Sequence, residues 1–127
     1  MNASSAWHIQ LFSTSVHAPV RWRLLSGNNR DMGRSADEFD DAESCRVALK
    51  QLQEDAAHLV PRVRRLTPSS WHWEITLDDV AIAGSGHPFD RLIRCEQGMT
   101  QFLTHFATAP IGATLMVSES RRWRVAG

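Results

Sequence analysis

The sequence of 127 residues predicts one α+β domain, residues 1–127, in which two helices pack on one face of an antiparallel sheet. Three observations predict this fold class. Apolar and polar residues alternate in several short segments, apolar residues recur every three or four positions in two longer segments, and the two halves of the chain match at an offset of fifty residues. The alternation is typical of half-buried strands, and the longer period is typical of amphipathic helices.

The strands are predicted where the alternation is strictest. The buried positions are Trp7, Ile9 and Leu11, then Val20, Trp22 and Leu24, and in the second half Trp71, Trp73, Ile75 and Leu77. Turn residues separate consecutive strands at 26–29 and at 78–79. Residues 30–34 and 80–82 are each predicted to add a short third strand, and the alternation of Val and Arg at 60–66 predicts the strand that opens the second half.

Two helices are predicted, over residues 41–59 and 90–107. Asp40, with Glu43 three residues later, and Asp90 are the predicted N-caps. Cys45 and Cys95 lie on the apolar stripes of the two helices, so we interpret both as small core residues rather than as metal ligands or reactive thiols.

The repeat predicts two units related by pseudo-twofold symmetry, residues 7–59 and 60–107, each an antiparallel three-stranded meander followed by a helix. The matching pairs at an offset of fifty are Ser35 with Ser85, Phe39 with Phe89, and Cys45 with Cys95, and Trp22 matches Trp73 at an offset of fifty-one. A last alternating pair predicts a C-terminal β-hairpin at 113–126. That hairpin would close a sheet edge or pair with a second copy of the chain.

These segments resemble the YegP-like family of small bacterial proteins, in which tandem repeats of a three-stranded meander lead into one helix. The resemblance rests on "RWRLLSGNN" (21–29), "MGRSADEF" (32–39), "IAGSGHPF" (82–89) and "CEQGM" (95–99), and it covers about residues 7–106. It implies the fold described above. The family has no established activity, so the resemblance implies no catalytic residue, cofactor or metal. The chain departs from the family pattern in a longer interval between serine and aromatic residue and in lacking lysines before the helix.

Composition narrows the classes of protein. Fourteen basic residues balance fourteen acidic ones, which disfavours a general nucleic-acid coat and leaves open a local patch. No stretch approaches the ~20 apolar residues of a membrane span. The N-terminal segment lacks the features of a signal peptide, so we expect a cytoplasmic protein with no membrane partner.

No catalytic or cofactor-binding set stands out in the sequence. The stretch "AIAGSGHPFD" (81–90) lacks the lysine of a P-loop and the third glycine of a dinucleotide fingerprint. Since the counterpart of its last seven residues, "GSGHPFD" (84–90), is "RSADEFD" (34–40) and has no glycine, we interpret the stretch as a junction between strand and helix. The six histidines form no pair with metal-ligand spacing, so no metal and no cofactor is predicted.

Two functional hypotheses follow. The first is a non-enzymatic binding or protein-interaction module that uses an exposed, arginine-bearing sheet face or a sheet edge. Its partner would be another protein or a second copy of the chain. The candidate binding residues are Arg21, Arg23, Arg122 and Arg124. A solvated face whose arginines pair with neighbouring acids is the simpler interpretation of the same pattern. The second hypothesis is a small-ligand-binding protein or small enzyme with a site at the helix N-termini, near Ser35, Ser85 and His87.

Overall fold

Seven strands and two helices make up the part of the chain that the computed structural model describes, residues 6–118. They are β1 (His8–Ser13), β2 (Arg21–Leu25), β3 (Asp31–Ser35), α1 (Ala42–Glu54), β4 (Val60–Thr67), β5 (Ser70–Leu77), β6 (Val80–Gly84), α2 (Leu92–Phe106) and β7 (Ile111–Val117). A 3₁₀ turn at Ala56–His58 links α1 to β4. The α+β class is therefore confirmed.

All seven strands belong to one sheet, in the order β4-β5-β6-β3-β2-β1-β7. The two meanders, β1-β2-β3 and β4-β5-β6, are antiparallel throughout, and β3 meets β6 antiparallel in the middle of the sheet. The helices pack against the face that carries the tryptophans, as the alternation predicts. Trp22 lies 5.3 Å from Phe106 of α2, and Trp73 lies 5.0 Å from Phe102, between ring centroids.

The expectation of an entirely antiparallel sheet is wrong at β7, which runs parallel to β1. The chain leaves α2 beside the start of β1, where the amide of Ile9 donates to the carbonyl of Pro110 at 2.8 Å. A strand that begins there and follows β1 must run in the same direction. β7 overlaps the first part of the hairpin predicted at 113–126, whereas residues 119–126 of that hairpin, with Arg122 and Arg124, lie outside the described residues.

Both predicted N-caps are wrong by one residue. Asp41 caps α1, with its Oδ1 accepting from the amide of Ser44 at 2.7 Å, and α2 begins after Arg91, whose side chain makes no cap hydrogen bond. The reason is that Phe39 and Phe89 form β-bridges, with Val20 and Trp71 respectively, before each helix. The bridges hold the backbone extended, so each helix begins further along the chain. The first helix also ends earlier than predicted, at Glu54.

The two cysteines are core residues, as predicted. Cys45 and Cys95 are both completely buried. Burial raises the pKa of the Cys45 thiol to about 11, and the pKa of Cys95 is raised by burial and then by the nearby charge of Glu96. Both thiols are therefore neutral near pH 7, and neither has the lowered pKa that a reactive thiolate needs.

Candidate functional site

The sheet face opposite the helices, here called the open face, carries the arginines of β2. Because Trp22 points into the core, Arg21 and Arg23 on either side of it point to the open face, and both are half-buried. One row of cross-strand neighbours runs over this face from β1 to β4. Its members are Gln10, Arg23, Arg34, Gly84, Glu74 and Arg62.

Arg23 is held in place by uncharged neighbours. Its Nε and Nη2 both donate to Oε1 of Gln10, at 2.9 and 2.7 Å. Its guanidinium carbon lies 4.5 Å from the ring centroid of Phe12, and that of Arg34 lies 5.6 Å from the same ring. A cation over an aromatic face is electrostatically favourable. The side chain is thus fixed without losing its charge to a carboxylate.

Arg21 is held by a neutral partner as well. Its Nη2 donates to the carbonyl of Ser35 at 3.0 Å. Its Nε is buried and has no hydrogen-bond partner among residues 6–118. Within that range no carboxylate lies within 4.0 Å of either Arg21 or Arg23.

The other arginines of the open face have acidic partners, with Arg62 and Arg64 sharing one carboxylate. Arg34 forms an ion pair with Asp31, and Arg62 and Arg64 both contact Oε2 of Glu74, at 3.4 and 3.5 Å. The interpretation of a solvated face with paired charges therefore fits β3 and β4. It does not fit β2, where two adjacent positive charges are fixed without a carboxylate partner.

The structure brings Arg21 and Arg23 together on one strand and adds three residues that the sequence reasoning missed: Gln10, Phe12 and Arg34. A signal for Phe12 was present, because it follows His8 and Gln10 at the polar positions of β1 and so belongs on the open face. The pairing of Gln10 with Arg23 depends on strand register, which the sequence pattern leaves undetermined.

The candidate serines serve the backbone. Ser35 accepts from the amide of Trp22 at 3.2 Å and donates to the carbonyl of Asp37 at 2.9 Å, and only 2% of its surface is exposed. The hydroxyl of Ser85 accepts from the amide of Trp73 at 3.4 Å. Ser35, at the end of β3, therefore bonds to β2, and Ser85, which follows β6, bonds to β5. No general base contacts either hydroxyl among the described residues.

Ser85 and His87 also line a groove of about 1460 Å³ between the β6–α2 junction and α2, and Ser35 does not. His87 is exposed, and its ring centroid lies 4.7 Å from that of Phe89. Its Nδ1 lies 3.0 Å from the carbonyl of Pro88. The structure therefore places two of the three residues of the small-ligand hypothesis at one concave surface.

Residues 6–118 contain no cluster of three or more His, Cys, Asp or Glu side chains that is arranged to hold a metal ion. Neither helix in that range combines the length and the apolar character needed to cross a membrane.

The fold defines a class of small α+β domains in which two helices cover one face of a seven-stranded sheet. Two solved structures share it. The solution NMR structure of yegP from E. coli, a protein of unknown function, matches with a TM-score of 0.64 and 12% identity, over 86% of this chain and 93% of that one. The solution NMR structure of a UPF0339 protein from Shewanella oneidensis matches with a TM-score of 0.62 and 12% identity, over 92% and 95%.

These matches confirm, at the level of the fold, the resemblance to the YegP-like proteins. No family model matches the chain, and no curated protein matches it.

Proposed function

We propose that this chain is a non-enzymatic binding module that engages a negatively charged surface of a partner protein through the open face. The observation that carries the proposal is the pair Arg21 and Arg23, fixed on the central part of the sheet by neutral acceptors and without a carboxylate within 4.0 Å among residues 6–118. A guanidinium has five N–H donors, and the neutral contacts of these two side chains use a minority of them.

Pre-ordering favours binding at these two side chains. An arginine that is free in solution loses rotamer entropy when it binds, about 0.5–1.5 kcal/mol for each side chain that is immobilised. Arg23 is already fixed by Gln10 and Phe12, and Arg21 by the carbonyl of Ser35. A partner carboxylate would form charge-assisted hydrogen bonds with groups whose ordering cost has been met on folding.

The internal repeat is a further part of the proposal. We infer that the two halves are copies of one unit, supported by their matching bridges, Val20 with Phe39 and Trp71 with Phe89. The matching hydrogen bonds from Trp22 to Ser35 and from Trp73 to Ser85 support the same inference. A homodimer through a sheet edge and a cytoplasmic location stay predictions.

A titration with two probes tests the function. The first probe is a short polyglutamate peptide, and the second is a single-stranded DNA oligonucleotide. Binding of each is measured from the backbone amide NMR resonances at about 0.15 M salt, where the Debye length is about 8 Å. We expect the peptide to shift the amides of β1 and β2 around Phe12 and Arg23. The double variant Arg21→Gln/Arg23→Gln is expected to weaken the peptide at least about tenfold.

The matched control is Arg62→Gln/Arg64→Gln, which removes the same charge from the same face. Arg62 lies four strands away from Arg23 in the row, roughly 19 Å at about 4.8 Å per strand, which exceeds the Debye length. The control should bind the peptide as the unchanged protein does. Equal weakening by both double variants, or no binding by the unchanged protein, would contradict the proposal. Tighter binding of the oligonucleotide would make nucleic acid the partner class instead.

A further inference from the structure

The two core tryptophans differ in what surrounds their indole N–H groups. Nε1 of Trp22 is buried and has no hydrogen-bond partner among residues 6–118. Trp73 is also buried, with 1% of its surface exposed, yet it lines the groove that contains Ser85 and His87. Its main-chain amide is bound by Ser85, whereas its indole N–H donates to no group within the described part of the chain. Among residues 6–118 the buried side-chain atoms without a partner are Nε of Arg21 and Nε1 of Trp22, so Nε1 of Trp73 is not one of the fully enclosed groups.

Gly98 of α2 opens the way to this N–H group. A Cβ atom at Gly98 would lie 3.5 Å from Nε1 of Trp73 and 3.2 Å from Cζ of Phe89. Because glycine has no Cβ atom, no side chain at position 98 covers the edges of the Trp73 and Phe89 rings, and both edges face the groove. The corresponding residue of the first half is Ala48.

The rim of the groove is rich in cations that have no acidic partner. Arg30, Arg91 and Arg94 line it, and within residues 6–118 none of them has a carboxylate within 4.0 Å. The groove lining also includes three acidic residues, of which Asp31 pairs with Arg34, and Asp90 and Glu96 are the other two.

We propose that this groove binds a small planar carboxylate, such as an aromatic acid. Trp73 Nε1 is a donor and has no acceptor capacity, so the ligand atom that meets it must be an acceptor. An aromatic ring beside the edge of Phe89 and the tilted ring of His87 gains the favourable offset or edge-to-face contact of aromatic pairs. The rim arginines favour an anion over a neutral acceptor.

Benzoate is the test probe, with benzamide as its neutral counterpart, and the readout is the indole ¹H–¹⁵N resonance of each tryptophan. We expect benzoate to shift the Trp73 indole resonance and leave that of Trp22 in place, with a Kd on the order of 1 mM for so small a ligand. Benzamide should bind at least about fivefold more weakly. Gly98→Ala should weaken benzoate at least about tenfold, because its methyl group covers Nε1.

Two further variants keep the test decisive if the methyl group at Gly98 disturbs packing on Phe89. Arg94→Gln changes an exposed residue of the rim and should weaken benzoate several-fold while leaving the weaker benzamide affinity unchanged. Thr104→Ala, on the exposed part of α2 outside the groove, should leave both affinities unchanged. An unshifted Trp73 resonance, equal affinity for benzamide, or a benzoate affinity indifferent to both Gly98→Ala and Arg94→Gln would overturn the proposal. Arg21 and Arg23 do not line the groove, so the open-face proposal would stand.

Discussion

Ser35 is a candidate ligand-binding residue in the sequence, whereas in the structure its hydroxyl forms hydrogen bonds with the main chain. Its hydroxyl lies at the end of β3, accepts from the amide of Trp22 and donates to the carbonyl of Asp37. The pairing of β2 with β3 extends from Arg23 to Leu25, so the amide of Trp22 lies beyond the end of that ladder. Ser35 thus completes the hydrogen bonding of the strand that carries Arg21 and Arg23.

Replacing that hydroxyl should destabilise the fold. Ser35→Ala leaves the buried amide of Trp22 and the carbonyl of Asp37 without their partner, which costs about 1–3 kcal/mol. The free energy of unfolding from urea titration measures the change. Ser69→Ala is the control, because Ser69 is exposed and contributes its amide, not its hydroxyl, to a hydrogen bond, and it should stay within about 0.5 kcal/mol of the unchanged protein. Equal stability of Ser35→Ala and Ser69→Ala would contradict this role.

At the scale of the element, the two helices have matching sequence positions and different beginnings. Asp41 accepts from the amide of Ser44, and this hydrogen bond lowers the pKa of the Asp41 carboxyl below its usual value of 3.8, with the Ser44 side chain and the amide of Glu43 adding to the effect. The matching position of α2 is held by Arg91, which leaves that helix end without a side-chain cap. A carboxylate near a helix N-terminus is also favoured by the helix dipole, and a guanidinium is not.

The charge of Asp41 should make the stability of α1 depend on pH. Since its pKa is lower in the folded than in the unfolded chain, its charge stabilises the fold above about pH 3.8 and that contribution is lost as the pH falls through the folded pKa. Asp41→Asn keeps an acceptor for the amide of Ser44 and removes the charge. We expect the variant to melt a few degrees below the unchanged protein at pH 7 and the two melting temperatures to converge below about pH 3.8.

Asp41→Ala separates the hydrogen bond from the charge, because alanine offers no acceptor. It should melt at a lower temperature than Asp41→Asn, both at pH 7 and below about pH 3.8. A gap between the unchanged protein and Asp41→Asn that stays constant from pH 7 to pH 3 would show that the carboxyl does not titrate as described.

At the scale of the whole molecule, the contact between sheet and helix depends on one position without a side chain. Gly33 of β3 has a φ of +150°, a region that glycine enters readily and other residues do not. A Cβ atom there would lie 2.6 Å from Cδ2 of Phe102 and 2.6 Å from Cη2 of Trp73. The aromatic cluster of α2 can therefore reach the sheet because β3 presents bare backbone to it.

Gly33→Ala should be among the most damaging single changes in the molecule. The methyl group overlaps two buried rings and the backbone is strained, so we expect a loss of about 3 kcal/mol or more in the free energy of unfolding by urea. Gly112→Ala is the control, since its Cβ atom would lie 3.4 Å from the carbonyl of Ile9, an ordinary contact, and should cost no more than about 1 kcal/mol. The double variant Gly33→Ala/Phe102→Leu should lose less than the sum of its single changes. Additive losses would rule out the predicted overlap between these two positions.

Much of the fold was predictable, because burial alternates with the pleat of each strand. Trp22 and Trp73 mark the core face so strongly that the identity of the open-face residues on β2 and β5 follows from their neighbours. The helix starts were less predictable, since the bridges at Phe39 and Phe89 join residues that are far apart in the chain. Of the candidate site, Arg21 and Arg23 were found from alternation, and Gln10 and Phe12, the partners of Arg23, were not.

By itself, the sequence determined the type, the approximate position and the inward face of each element, because alternation and helical periodicity record which side of an element is buried. Tertiary structure alone decided the direction of β7, the neutral partners of the β2 arginines and the opening over Trp73. These features arise where residues distant in the chain meet: Pro110 with Ile9, Gln10 with Arg23, and Gly98 with Trp73. These contacts depend on strand order and register, which the periodicity of the sequence does not determine.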